Sequence, residues 1–184
     1  MVAKAFPENA QYPFDKEYPY ALVIECEAYD EDDRADERMM AFLEKAGDLI
    51  EDGVVAQDRK QYDNLWFLRK GIITAAQHLG HIYQGNVTVP KITEFQDVLV
   101  AITELIKSSD KLTDAEKDLI VPCGYGHMAD GDIQMSITAL GTDESSALLR
   151  DKVVSLIDDF IVEFVGAKGG SISGEHGIGL QRVH

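Results

Sequence analysis

Leu119-Ile-Val-Pro-Cys-Gly-Tyr-Gly-His-Met-Ala-Asp-Gly-Asp-Ile-Gln-Met-Ser-Ile-Thr-Ala-Leu140 decides the fold class. Its two arms, Leu119 to Tyr125 and Ile133 to Leu140, read as consecutive strands around a connection rich in glycine and aspartate. In the second arm Ile133, Met135 and Ile137 fall on one face, and Gln134, Ser136 and Thr138 on the other. Taken alone, that polar row reads as the solvated outer face of an antiparallel strand. The glycines at 124, 126 and 131 permit a tight turn, from which His127, Asp130 and Asp132 are expected to project.

Working outward, strands and helices do not alternate strictly. Tyr20 to Ala28 is a strand candidate. A helix follows, with Met39, Phe42, Leu43, Ala46, Leu49 and Ile50 at helical spacing and a stop at Gly53. Val54 to Gln57 suits a short strand. A second helix is expected from about Arg59 to Leu79, carrying Leu65, Leu68, Ile72, Ala75 and Leu79 on one face, with Gly80 as its C-cap. His81 to Val89 reads as a strand ending at Pro90. A third helix carries Ile92, Phe95, Leu99, Ile102 and Ile106, and Ser108 to Asp118 reads as a loop. The last helix uses Leu149, Val153, Leu156, Ile157, Phe160, Ile161 and Phe164, and a glycine-rich stretch from Gly166 to Gly179 follows. Two strands in succession favour an α+β fold, a mixed or antiparallel sheet with helices packed on one face, over a doubly wound one. Residues 1–19, with three prolines, read as an irregular lead-in to a single domain over 20–184.

The 184 residues include 17 basic and 33 acidic ones, a formal charge of -16. There is no basic surplus to neutralise phosphates, which argues against nucleic acid and against an anionic membrane surface. The acidic run of Glu25, Glu27, Asp30, Glu31, Asp32 and Asp33 reads as a solubilising edge. No apolar run reaches the length of a membrane span. The first residues lack the apolar core of a signal peptide and the arginine bias of a transit peptide. Cys26 and Cys123 have no CxxC spacing, which fits a reducing compartment, and each sits in an apolar run where core packing is the default.

The second segment dense in functional groups is Gly169-Gly-Ser-Ile-Ser-Gly-Glu-His-Gly-Ile-Gly179. It lacks GxxxxGK[ST] and the strand-to-helix setting of GxGxxG, so nucleotide binding is rejected there. Its chemical content is Glu175 beside His176.

Four stretches together resemble a known family: Tyr20-Ala-Leu-Val-Ile-Glu, Leu65-Trp-Phe-Leu-Arg-Lys-Gly-Ile, Gly124-Tyr-Gly-His-Met-Ala-Asp-Gly-Asp and Gly170-Ser-Ile-Ser-Gly-Glu-His-Gly-Ile-Gly. They are similar to the C-terminal domain of the FAD-linked oxidases, in the D-2-hydroxyglutarate and D-lactate dehydrogenase branch, and occur in the family's order. The resemblance implies a ferredoxin-like cap domain that binds a small D-2-hydroxy acid. It implies FAD held by a separate upstream domain, a short C-terminal tail, no activity for this chain by itself, and a mitochondrial location. It implies His176 as the catalytic base, Arg69 as the carboxylate-binding cation, Gln84 and Ser136 at substrate-binding positions, and a divalent metal such as zinc on His127, Gln134 and Glu175.

Several positions depart from the family pattern. Gln134 puts a neutral amide where the family has an imidazole. Ala129 replaces a glycine and Asp132 an asparagine. Ile73, Gln84 and Ser136 stand where the branch has Thr, Lys and Asn. One metal ligand and one substrate cation are therefore changed. The same resemblance offers a second reading, a non-catalytic interaction module like the actin-interacting members, with the acidic run facing a basic partner.

Overall fold

The computed structural model describes residues 1–29, 34–174 and 176–177. The chain divides into two compact units, Met1–Ile72 and Ile73–His184.

In the first unit, α1 (Val2–Ala5), α2 (Ala35–Ala46) and α3 (Arg59–Lys70) are the α-helices. Asp58 caps α3 by accepting from the Gln61 amide at 2.8 Å. Polar clasps hold the irregular segments. Asn64 exchanges two hydrogen bonds with the Gln11 backbone, and the Tyr62 hydroxyl donates to Glu25 at 2.7 Å. Among the described residues the Tyr20–Ala28 candidate enters no ladder, so it is not a strand, and neither does Val54–Gln57. Leu22, Val23 and Ile24 are exposed. The helix expected over Arg59–Leu79 is two helices. α3 ends at Gly71, and α4 (Ile72–Leu79) leads into the second unit. Strand β1 then begins at Gly80 itself, in place of a helix cap.

The second unit is built on an antiparallel sheet in the order β1-β3-β2, with β1 (Gly80–Thr88), β2 (Ile120–His127) and β3 (Asp132–Leu140). β3 is central, pairing Ile137 with Tyr83 and Pro122, and Ile133 with Val87 and Gly126. Two helices, α5 (Phe95–Ser108) and α7 (Glu144–Ala167), pack against the sheet. α5 buries Val98, Ile102 and Ile106. α7 buries Leu149, Val153, Ile157, Ile161 and Val165, a row at every fourth residue that forms one ridge. These meet Val87, Ile133, Met135, Ile137 and Ala139 in a single core. The arrangement is α+β, as expected.

The segment read as a loop over Ser108–Asp118 contains a one-turn helix, α6 (Asp114–Lys117), closed by a capping box between Thr113 and Glu116. The Lys152 ammonium and the Thr113 amide and hydroxyl bond the Glu116 carboxylate and hold its pKa down to about 2. A carboxyl depressed on folding contributes stability that is present above its unfolded value and lost as pH falls through about 2. Glu116→Gln is therefore expected to flatten the acid limb of a stability-versus-pH curve between about pH 4.5 and pH 2, and an unaltered limb would contradict the assignment.

The cysteines differ. Cys26 is exposed, contrary to the core expectation, because its segment has no sheet to join. Cys123 sits on β2, where burial pushes its thiol pKa up. A thiol reagent should label Cys26 rapidly in the native protein and Cys123 only on unfolding, since thiolate and access both govern the rate. Equal rates in the native state would refute this. Among the described residues no helix is long and apolar enough to cross a membrane.

Candidate active site

The core takes one face of the sheet, so alternation assigns the rest to the other. Across that second face run rows of cross-strand partners. Thr88, Asp132 and His127 form one row, Asn86, Gln134 and Tyr125 the next, and Gln84, Ser136 and Cys123 the third. Directly opposed residues bring their Cβ atoms within about 4.5–5.5 Å. Four residues named from the resemblance, Gln84, His127, Gln134 and Ser136, therefore share one face within three adjacent rows.

That face is not the solvated row expected from the alternation. Ser136 is 0% exposed and Asp132 6%. A polar residue at every second position records which face a side chain takes, not whether water reaches it. Among the described residues the Ser136 and Thr138 hydroxyls are buried without a hydrogen-bond partner. A buried unpaired hydroxyl costs about 1–3 kcal/mol, so these positions favour a polar guest. Asp132 was expected to project from the turn. It instead opens β3 and lies in the sheet, while Asp130 is exposed.

The β2–β3 connection is tight. Gly131 has φ +70°, donates to the Met128 carbonyl at 3.1 Å and accepts from the Val89 amide at 3.0 Å. A Cβ there would lie 2.2 Å from the Val89 oxygen, so only glycine fits. This turn leaves His127, at the end of β2, exposed beside Asp132.

The glycine-rich stretch reaches the same end of the sheet. After α7, the Gly170 amide returns to the Val165 carbonyl at 2.9 Å. Ser171 then bridges Thr88 antiparallel, through bonds of 2.7 and 2.9 Å. The hydroxyls of Ser171 and Ser173 lie 2.8 Å apart, and the Gly177 amide donates to the Ser173 carbonyl at 2.9 Å. Gly174 packs on the Asn86 side chain, whose amide donates to Asp132 at 3.0 Å. His176, two residues on, is exposed.

Glu175 lies outside the described residues, as do Asp30 to Asp33 of the acidic run. Arg69 is half-buried in the last turn of α3, in the first unit. The Asn86–Asp132 contact was not foreseen, because only the register shows that these two residues meet. Among the described residues no three His, Cys, Asp or Glu side chains gather as metal ligands. Of the three implied ligands His127 and Gln134 are described, and the neutral Gln134 amide is not among the Cys, His and carboxylate donors that hold zinc, so the described donors do not fit the implied metal.

A family model for the C-terminal domain of FAD linked oxidases matches residues 2–184. The chain belongs to that family. This FAD-linked oxidase C-terminal domain is 31% identical over 177 residues to a D-2-hydroxyglutarate--pyruvate transhydrogenase of Saccharomyces cerevisiae, covering 95% of this chain and 34% of the relative. It is 31% identical over 180 residues to a mitochondrial D-2-hydroxyglutarate dehydrogenase of Arabidopsis thaliana, covering 96% and 29%. The corresponding protein of Danio rerio is 28% identical over 169 residues, covering 90% and 28%. The oxidase domain thus spans about a third of the length of these relatives.

Proposed function

We propose that this chain forms the substrate side of a flavin-dependent dehydrogenase acting on D-2-hydroxy acids, with D-2-hydroxyglutarate and D-lactate as the candidate substrates. The observation that carries the reading is the convergence of the His176 loop with His127, Gln134 and the buried Ser136 hydroxyl at one polar face, in a chain matched to the family over residues 2–184. The named mitochondrial relatives support the same compartment for this protein.

Oxidising a 2-hydroxy acid to its 2-oxo acid removes the hydroxyl proton and the hydride on C2. FAD, bound outside this chain, supplies the hydride acceptor. His176 takes the hydroxyl proton as general base. The exposed Gln84 amide offers hydrogen bonds to substrate oxygens, and the buried Ser136 hydroxyl lies beneath it in the same cross-strand row. No step is assigned to a metal.

Arg69 offers a bidentate partner for a substrate carboxylate, a role carried by its chemistry. A charge-assisted hydrogen bond contributes about 1.5–3 kcal/mol, so Arg69→Ala should weaken substrate binding by roughly 10- to 100-fold. A titration that follows flavin absorbance reads this directly, and unchanged binding would remove Arg69 from the proposal.

The reading is tested in the full-length protein under anaerobic conditions. The flavin absorbance is followed with D- and L-enantiomers of 2-hydroxyglutarate and lactate. Bleaching by a D-acid and not by its L-enantiomer is the expected result. A protein that binds FAD and bleaches with none of them would overturn it and bring the protein-binding reading, with actin as the first partner to try, to the front.

A further inference from the structure

We propose that Asn86 and Asp132 form a positioning pair that holds Gly174 against the sheet and thereby places His176. The inference rests on the reading of His176 as the base. It goes beyond it by assigning a role to two side chains that the proposed reaction does not use.

Asn86 and Asp132 come from adjacent strands and are nearly inaccessible, at 9% and 6% exposure. They are joined by the 3.0 Å bond from the Asn86 amide to the Asp132 carboxylate. Asp132 is thus the acceptor that sets which way the Asn86 amide points. The other amide atom, Asn86 Oδ1, stands 1.2 Å from where a Cβ on residue 174 would be, so it occupies the space of the missing side chain. Gly174 has φ +46°, a conformation glycine adopts without penalty. The loop is therefore fixed at two points on β1. The backbone is bridged at Ser171 and Thr88, and the Asn86 side chain meets the backbone at Gly174. Of these two contacts, the second lies nearer to His176 in the chain. Removing it leaves the bridge, and hence the course of the chain up to Ser171, in place.

Gly177 supplies an internal control. It is also left-handed, at φ +75°, but among the described residues a Cβ there meets nothing within 4 Å. Gly177→Ala therefore carries the backbone strain alone, and Gly174→Ala carries the strain and the collision with Asn86.

The test uses the full-length flavoprotein and two readouts, amide hydrogen exchange at Gly174 and His176, and the rate and substrate dissociation constant of flavin reduction. Asn86→Ala, or Asn86→Ser should the alanine variant not fold, is expected to speed exchange at those amides by roughly five- to tenfold, leaving the sheet core unchanged. It should lower the reduction rate by on the order of tenfold, because a small displacement of the base costs rate, while the dissociation constant stays as it was. Asp132→Asn keeps an acceptor oxygen and should recover most of what Asp132→Ala loses. Gly174→Ala should lose more than Gly177→Ala, and removing the Asn86 side chain should narrow that gap.

Equal effects of the two glycine variants, or Asn86→Ala with wild-type exchange, would overturn the pair. Faster exchange with an unchanged reduction rate would overturn its positioning role. If no 2-hydroxy acid bleaches the flavin, the dehydrogenase reading itself has failed, and the positioning role falls with it. The exchange data still report separately whether the contact holds Gly174.

Discussion

His176→Ala should slow flavin reduction by a D-2-hydroxy acid by about 10²- to 10⁴-fold, the usual contribution of a positioned general base. The substrate oxygen must lose its proton as hydride leaves C2, and in the proposed reading the exposed His176 accepts it. The interaction strengthens only as the proton moves. The loss should therefore fall on the reduction rate and leave the substrate dissociation constant within a few-fold of wild type. His176→Gln, which keeps a hydrogen-bonding amide but no base, should be impaired to a similar degree. FAD content must be unchanged for the comparison to hold. Stopped-flow reduction within a few-fold of wild type in both variants would remove His176 from catalysis. A loss confined to substrate affinity would recast it as a binding group.

The parts of the fold that were legible share one property. Their signal is local and repeats at a single period. The β2–β3 hairpin shows alternating apolar residues around a glycine-rich turn, and α7 shows its apolar ridge over 24 residues. Tyr20–Ala28 carries the composition of a strand, but a strand exists only when another backbone pairs with it, and no local pattern reports the partner. The break between α3 and α4 was missed for a related reason. The apolar spacing of Leu65, Leu68, Ile72 and Ala75 continues across Gly71, and the Gly71 amide still bonds to the Phe67 carbonyl at 2.8 Å. Periodicity is blind to such a hinge.

At the proposed site, His127, Gln134 and His176 were singled out through motifs whose residues lie close together in the chain. Asp132 and Gly174 lie in the same motifs, but Asn86 does not, and its contacts with them were not legible. Asn86 and Asp132 are 46 residues apart, and their contact follows from register. The solvated reading of Ser136 failed because burial on both faces of a strand leaves the alternation unchanged.

The second large effect concerns the scaffold that sets this register. Ile157 is fully buried, midway along α7, and packs with the core residues of the sheet and α5. Ile157→Ala removes three heavy atoms from a site with no solvent to fill the gap, which should cost about 2–5 kcal/mol. Val162, on the same helix, is 43% exposed. Val162→Ala makes a comparable truncation on the outer face, and surface changes of this kind usually stay within about 0.5 kcal/mol. Helix propensity favours alanine at both positions, so the difference between them isolates packing from helix formation. Urea unfolding followed by circular dichroism should therefore shift its midpoint strongly for Ile157→Ala and little for Val162→Ala. Similar shifts for both would mean that α7 does not present this face to the sheet. The cross-strand rows that gather His127, Gln134 and Ser136 would then lose the support on which the site depends.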